Sequence, residues 1–107
     1  MTKCEFYRQG ERITGFSVSG HSGYAEAGTD IVCAAISAVV SMVEATVNDV
    51  CGAKAKVRVN EADARISLTL PASCDEEESI QAVLGGMMNT LLYLRDEYPE
   101  NIEVLEV

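Results

Sequence analysis

Two stretches of the chain alternate apolar and polar residues and read as β-hairpins. In residues 2–8, Cys4 and Phe6 alternate with Lys3 and Glu5; in residues 12–19, Phe16 and Val18 alternate with Ser17 and Ser19. Gln9-Gly10-Glu11 supplies the turn between them, and Gly15 marks a candidate bulge. Further on, Ala55, Val57 and Val59 alternate with Lys54, Lys56 and Arg58. Ala64, Ile66, Leu68 and Leu70 then alternate with Arg65, Ser67 and Thr69, until Pro71 stops the run. One face of this second hairpin is apolar and the other charged, so the sheet is covered on one side only.

Two other stretches carry the helical period. Asp30 is a good N-cap for a helix running to about Val50, which Gly52 ends. Val32, Ile36, Val39, Val43, Val47 and Val50 form its buried stripe, and Ala34, Ala35 and Ala38 permit close approach of neighbours. Cys33, Ser37, Ser41, Glu44 and Asn48 form a separate, more polar row. A second helix, about 75 to 97, buries Ile80, Leu84, Met87, Leu91 and Leu94. Ser73 with Glu76 resembles a capping box, and the acids from Asp75 to Glu78 suit a helix N-terminus. Gly85-Gly86 in mid-helix costs on the order of 1 kcal/mol per Gly relative to Ala, which close packing on the first helix would explain. Pro99 ends that helix and Ile102 to Val107 make a last strand.

The resulting order, ββαββαβ, predicts an α+β fold in two layers over a single domain, residues 1–107. The sheet is mixed but mostly antiparallel, with both helices packed on one face. The apolar last strand suits a sheet edge, where it could pair with a second copy to make a dimer.

Composition narrows the partners. The 107 residues carry a formal net charge of −9 and no Lys/Arg cluster that offsets it, which argues against nucleic acid and favours a basic protein or peptide. The N-terminus lacks a signal-peptide pattern, and no run reaches the roughly 18 apolar residues of a membrane span, so a cytoplasmic protein with no membrane role is expected. The four cysteines, Cys4, Cys33, Cys51 and Cys74, include no CxxC, and there is one histidine, so no metal or other cofactor is expected and the thiols are expected to be free.

The candidate chemistry lies between residues 20 and 38. His21 ends a strand, residues 21–29 read as a Gly-rich loop, and Cys33 follows at the third helical position if Asp30 is the cap. A thiol there meets unpaired backbone N–H groups and the positive end of the helix dipole, an arrangement that favours thiolate and could also hold an oxyanion. His21 would take the thiol proton and return it to a leaving amine. Asp30 is the nearest group in sequence to orient the imidazole, although capping competes for its carboxylate. Ser37, one turn beyond Cys33, could line the pocket, and Glu26 is a lesser candidate. Duller readings stand beside these. A free cysteine is commonly a small buried hydrophobe, Asp30 needs no catalysis to explain it, and Ser37 could bond back to its own helix. Cys4, Cys51 and Cys74 look structural.

Gly20-His21, Tyr24-Ala25, Gly28, the run Asp30-Ile31-Val32-Cys33-Ala34-Ala35 and Ser37 closely resemble the signature of the ribosomal-processing cysteine protease family, Prp. The likeness extends over essentially the whole chain. It implies His21 and Cys33 as catalytic pair, Asp30 and Ser37 as supporting positions, and Gly20, Tyr24, Glu26 and Gly28 in a loop that orders over substrate. It further implies a cytoplasmic homodimer that removes a short N-terminal extension, ending in a phenylalanine-containing apolar motif, from the large-subunit ribosomal protein numbered twenty-seven, in support of ribosome assembly. Ser22-Gly23 departs from the more apolar pair common in the family, a difference expected to touch loop flexibility and not chemistry. Tyr24 could stack on a substrate aromatic. Two other classes stay open: another thiol enzyme on the same site, an acyltransferase or redox enzyme, and a non-catalytic assembly module for a basic ribosomal protein.

Overall fold

Phe6 and Phe16 face each other across the first hairpin, fully buried, with ring centroids 6.3 Å apart and a 45° tilt. Such a pair adds about 0.5–1.5 kcal/mol beyond its area burial. Around it the computed structural model, which describes residues 1–26 and 28–107, forms two layers. Ala27, inside the predicted loop, lies outside the described residues.

The strands are β1 (Thr2–Gln9), β2 (Arg12–Ser19), β3 (Lys56–Asn60), β4 (Arg65–Thr69) and β5 (Ile102–Glu106). They lie in the order β3-β4-β2-β1-β5, antiparallel except for the β1–β5 pair. The predicted ββαββαβ order and mixed sheet are therefore what forms, with β5 at an edge. Cys4, Phe6, Phe16, Val18, Leu68 and Ile102 all point to the face that the helices cover. The predicted bulge is present. Tyr7 pairs with Gly15 and Arg8 with Ile13, which leaves Thr14 as the extra residue. A Cβ on Gly15 would lie 2.3 Å from the Leu68 carbonyl oxygen, so only glycine fits there.

Helix α1 (Ile31–Glu44) continues into a π-helical segment, Ala45–Val50. Val32, Ile36, Val40, Val43 and Val47 are buried. Val40, not Val39, therefore carries the middle of the stripe, and Val39 is only partly buried. Val50 is 79% exposed against expectation. The π turn, closed by the Cys51 N–H donating to the Thr46 carbonyl at 2.9 Å, is wider than an α turn and brings Cys51 onto the core in place of Val50. By length and composition the continuous helix Ile31–Val50 would suffice to cross a membrane, which the sequence pattern did not suggest; its valine stripe is instead part of the core. The Asn48 side chain pairs with both backbone groups of Ala55, at 2.7 and 3.1 Å, and so sets the entry to β3.

Helix α2 (Glu77–Glu97) buries Ile80, Leu84, Met87 and Leu91, with Leu94 partly covered. Two expectations fail here. The capping box does not form: Glu76 is the cap residue, in a non-helical conformation, and no side chain bonds the first turn. Glu77 instead pairs with Arg12, which raises the Arg12 pKa and lowers that of Glu77. Gln81 also pairs with the Ile13 backbone at 2.8 Å in both directions, so α2 is tied to β2 from the side. Close packing does not account for Gly85-Gly86 either, since a Cβ at either position would meet nothing within 4 Å. Gly86→Ala should accordingly raise stability by about 0.4–1 kcal/mol in denaturant or thermal unfolding. A loss of stability would show that a contact requires the glycine.

Candidate active site

Strand β2 runs out at Gly20, where the backbone has φ +84° and a Cβ would lie 2.7 Å from the Met1 carbonyl oxygen. Both conditions favour glycine, so Gly20 acts by letting the chain turn against β1. Its N–H donates to the Ala64 carbonyl at 3.1 Å, and Ala64 is itself held at φ 48° in the β3–β4 turn. Two rigid hairpins thus fix where His21 leaves the sheet. On the other side Asp30 caps α1, and Cys33 stands at the third helical position as the spacing predicts.

His21 and Cys33 both line a groove of about 320 Å³ between α1 and the sheet, walled by Val18, Ile36, Val40 and Ile66. They share a second hollow of about 410 Å³ with Ala25, Gly28 and Asp30. His21 is exposed and Cys33 half-buried, so imidazole and thiol are both accessible. Ser37 and Ser41 continue the polar row of α1 along the groove beside Cys33.

The carboxylate of Asp30 is engaged in the predicted cap and in the loop, and not on the imidazole it was expected to orient. The residue is 7% exposed. Oδ1 accepts the N–H groups of Val32 (2.9 Å) and Cys33 (3.0 Å), while Oδ2 accepts the Ser22 hydroxyl and the Ala25 N–H (3.2 Å). Among the described residues no hydrogen bond joins it to His21. The Ser22 hydroxyl first, and then the three amides, hold the Asp30 carboxyl well below the usual carboxylate range, although burial pushes the other way. The same contacts correct the expectation that the first helical amides hold an oxyanion, because two of those N–H groups are already bonded to the cap.

Ser22, assigned only to loop flexibility on sequence grounds, is the hub of the loop and 1% exposed. Its N–H donates to Cys33 Sγ at 3.4 Å, its Oγ accepts the Tyr24 N–H at 3.2 Å, and its carbonyl accepts from Asn101 Nδ2 at 2.9 Å. Tyr24 stands edge-on to Tyr98, with centroids 5.3 Å apart, so the loop rests on the turn between α2 and β5. Glu26 contributes its backbone, its carbonyl accepting the N–H and hydroxyl of Thr29, and Gly28 takes φ +90° where the chain turns toward the cap. No local signal pointed to Ser22 or Asn101; adjacency to His21 was the one available hint for Ser22. All four cysteines are free, and burial pushes the Cys4 thiol up to about 12, as suits a core residue. Among the described residues no three metal-ligating side chains converge.

A helix-borne thiol and a strand-end imidazole opening onto one apolar groove have the form of a cysteine-protease site. The family described as "Cysteine protease Prp" matches residues 1–103. A ribosomal processing cysteine protease Prp of Bacillus subtilis (strain 168) is 30% identical over 94 residues, covering 86% of this chain and 84% of that protein. Among solved structures, an essential ribosomal processing protease Prp from S. aureus in complex with a covalently linked product peptide superposes with TM-score 0.90 at 23% identity, covering 100% of both chains. A Streptococcus mutans protein superposes with TM-score 0.87 at 21% identity, over 100% of this chain and 94% of its own. The chain belongs to the Prp family of cysteine proteases.

The Asp30 carboxyl gives a pH test. Because its folded-state pKa is lowered, the stability it contributes is fully present above the unfolded value of about 4 and is lost as pH falls through the folded value. The melting-temperature gap between wild type and Asp30→Asn should therefore be constant above about pH 5 and shrink in more acidic buffer. A gap that stays unchanged into strong acid would contradict the assignment. The variant should also lose on the order of tenfold or more in peptide cleavage through a displaced loop.

Proposed function

We propose that this protein is an endopeptidase in which Cys33 is the nucleophile and His21 the general base. Its proposed substrate is the N-terminal extension of the large-subunit ribosomal protein numbered twenty-seven. The observation that carries the reading is the shared groove: the two groups face one cavity whose floor is apolar. A phenylalanine or another large apolar side chain of the extension would lie along Val18, Val40 and Ile66, which places the neighbouring carbonyl beside Cys33. The net charge of −9 favours encounter with a basic ribosomal protein.

The chemistry runs in two halves. Cys33 Sγ forms a bond to the scissile carbonyl carbon while His21 accepts the thiol proton, and the carbonyl electrons move onto oxygen. Collapse of this intermediate breaks the C–N bond, and His21 gives the proton to the departing amine. Water, deprotonated by His21, then attacks the thioester, breaks the C–S bond and restores the thiol with release of the carboxylate product. The S. aureus relative holding a covalently linked product peptide supports a covalent route of this kind. On the family resemblance we also place the protein in the cytoplasm as a homodimer.

Mass spectrometry of a peptide spanning the extension and the mature N-terminus tests the reading. Wild type should make one cut, and Cys33→Ala and His21→Ala none. Cleavage that survives Cys33→Ala would overturn the mechanism, and the absence of cleavage by folded wild type would favour the non-catalytic assembly module.

A further inference from the structure

Acyl transfer needs a donor for the developing oxyanion, and the usual candidates at the start of α1 are occupied. The Val32 and Cys33 N–H groups bond Asp30 Oδ1, and the Ala34 N–H bonds the Asp30 carbonyl at 3.1 Å. One amide from outside the helix points at the sulfur instead. We propose that the Ser22 backbone N–H is an oxyanion donor of this site and that Asn101 is the residue that positions it. The inference rests on the Cys33–His21 reading above.

The geometry follows from where the oxygen goes. Once Sγ bonds the carbonyl carbon, the oxyanion is two bonds from sulfur, and an effective donor sits about 2.7–3.1 Å from it. The Ser22 N–H lies 3.4 Å from Sγ in the free enzyme, so a carbonyl arriving at the thiol brings its oxygen into reach of this donor. The donor also stays fixed as charge develops. The Ser22 hydroxyl is held by Asp30, and its carbonyl by Asn101 Nδ2 at 2.9 Å. Asn101 in turn is anchored through its backbone: its N–H donates to the Tyr98 carbonyl at 3.0 Å, and its carbonyl accepts the Thr2 N–H at 2.9 Å. The turn into β5, stapled to β1, thereby pins the Ser22–Gly23 peptide, the neighbour of the His21–Ser22 peptide whose N–H faces the sulfur. A donor that needs no reorganisation during reaction contributes most where water is excluded, and Ser22 is 1% exposed.

A competing role for the same N–H is to act on the thiol itself. Two reactions of Cys33 separate the roles, because iodoacetamide alkylation attacks a saturated carbon and creates no oxyanion. Asn101→Asp keeps the shape but turns a carboxylate toward the Ser22 carbonyl, and Asn101→Ala removes the contact without repulsion. Peptide-cleavage kcat should fall about tenfold or more in Asn101→Asp and less in Asn101→Ala, with KM within about twofold of wild type. The alkylation rate of Cys33 should stay within about twofold in both variants. The inference is overturned if both variants cleave like wild type, or if cleavage and alkylation fall together. With Cys33→Ala inactive alongside, either result removes the Ser22 assignment alone, whereas an active Cys33→Ala removes the catalytic reading with it.

Discussion

One buried carboxylate holds the site together. Asp30 brings four donors onto two oxygens, two from the first turn of α1 and two from the loop that follows β2. A buried anion is costly unless its lone pairs are satisfied, and charge-assisted bonds to it are correspondingly strong. The loop cannot move away from the helix without stranding that charge. Cys33 and His21 are connected by residues chosen for flexibility, yet they open onto the same groove because the carboxylate joins the two ends of the connection.

The rest of the fold supplies what this knot is tied to. The β1–β2 hairpin and the β3–β4 turn set the departure of the chain at Gly20, through the Met1 close approach and the bond to Ala64. The valine stripe seats α1 on the sheet, and the start of α2 is tied to β2 through Arg12 and Gln81. The turn after α2 closes the circuit from the far end of the chain, with Tyr98 under Tyr24 and Asn101 on the Ser22 carbonyl. The apolar groove is the space these supports leave open beside the thiol. Its walls include the apolar side chains of Val18, Ile36, Val40 and Ile66.

Alternation and helical spacing made the elements legible, because those signals repeat every two to four residues and report only which face is buried. They gave the hairpins, both helices, the bulge at Gly15 and the cap at Asp30. The errors arise where a second partner intervenes. Val50 left the stripe because a π turn widened the helix. The capping box gave way to the Arg12–Glu77 pair, a contact between residues 65 apart. In the site, the histidine, the thiol and the capping acid could be read from residue type and spacing. The function of Asp30 as a clamp could not, since it depends on Ser22 and Ala25 folding back onto it. Asn101 was invisible for the same reason: it meets Ser22 across 79 residues of chain, and nothing in its own neighbourhood points there.

The most direct test of this account is amide hydrogen exchange, read residue by residue by NMR, at Ala25, Val32 and Cys33. Val32 and Cys33 lie in the first turn of α1, whose amides have no partner within the helix, and Ala25 lies in the loop with its N–H on Asp30 Oδ2, so protection at these positions reports the Asp30 carboxylate. The account predicts protection of all three in wild type and its joint loss in Asp30→Ala, while Cys4 and Phe6 in β1 stay protected. An unprotected Ala25 in wild type, or protection that survives Asp30→Ala, would contradict it.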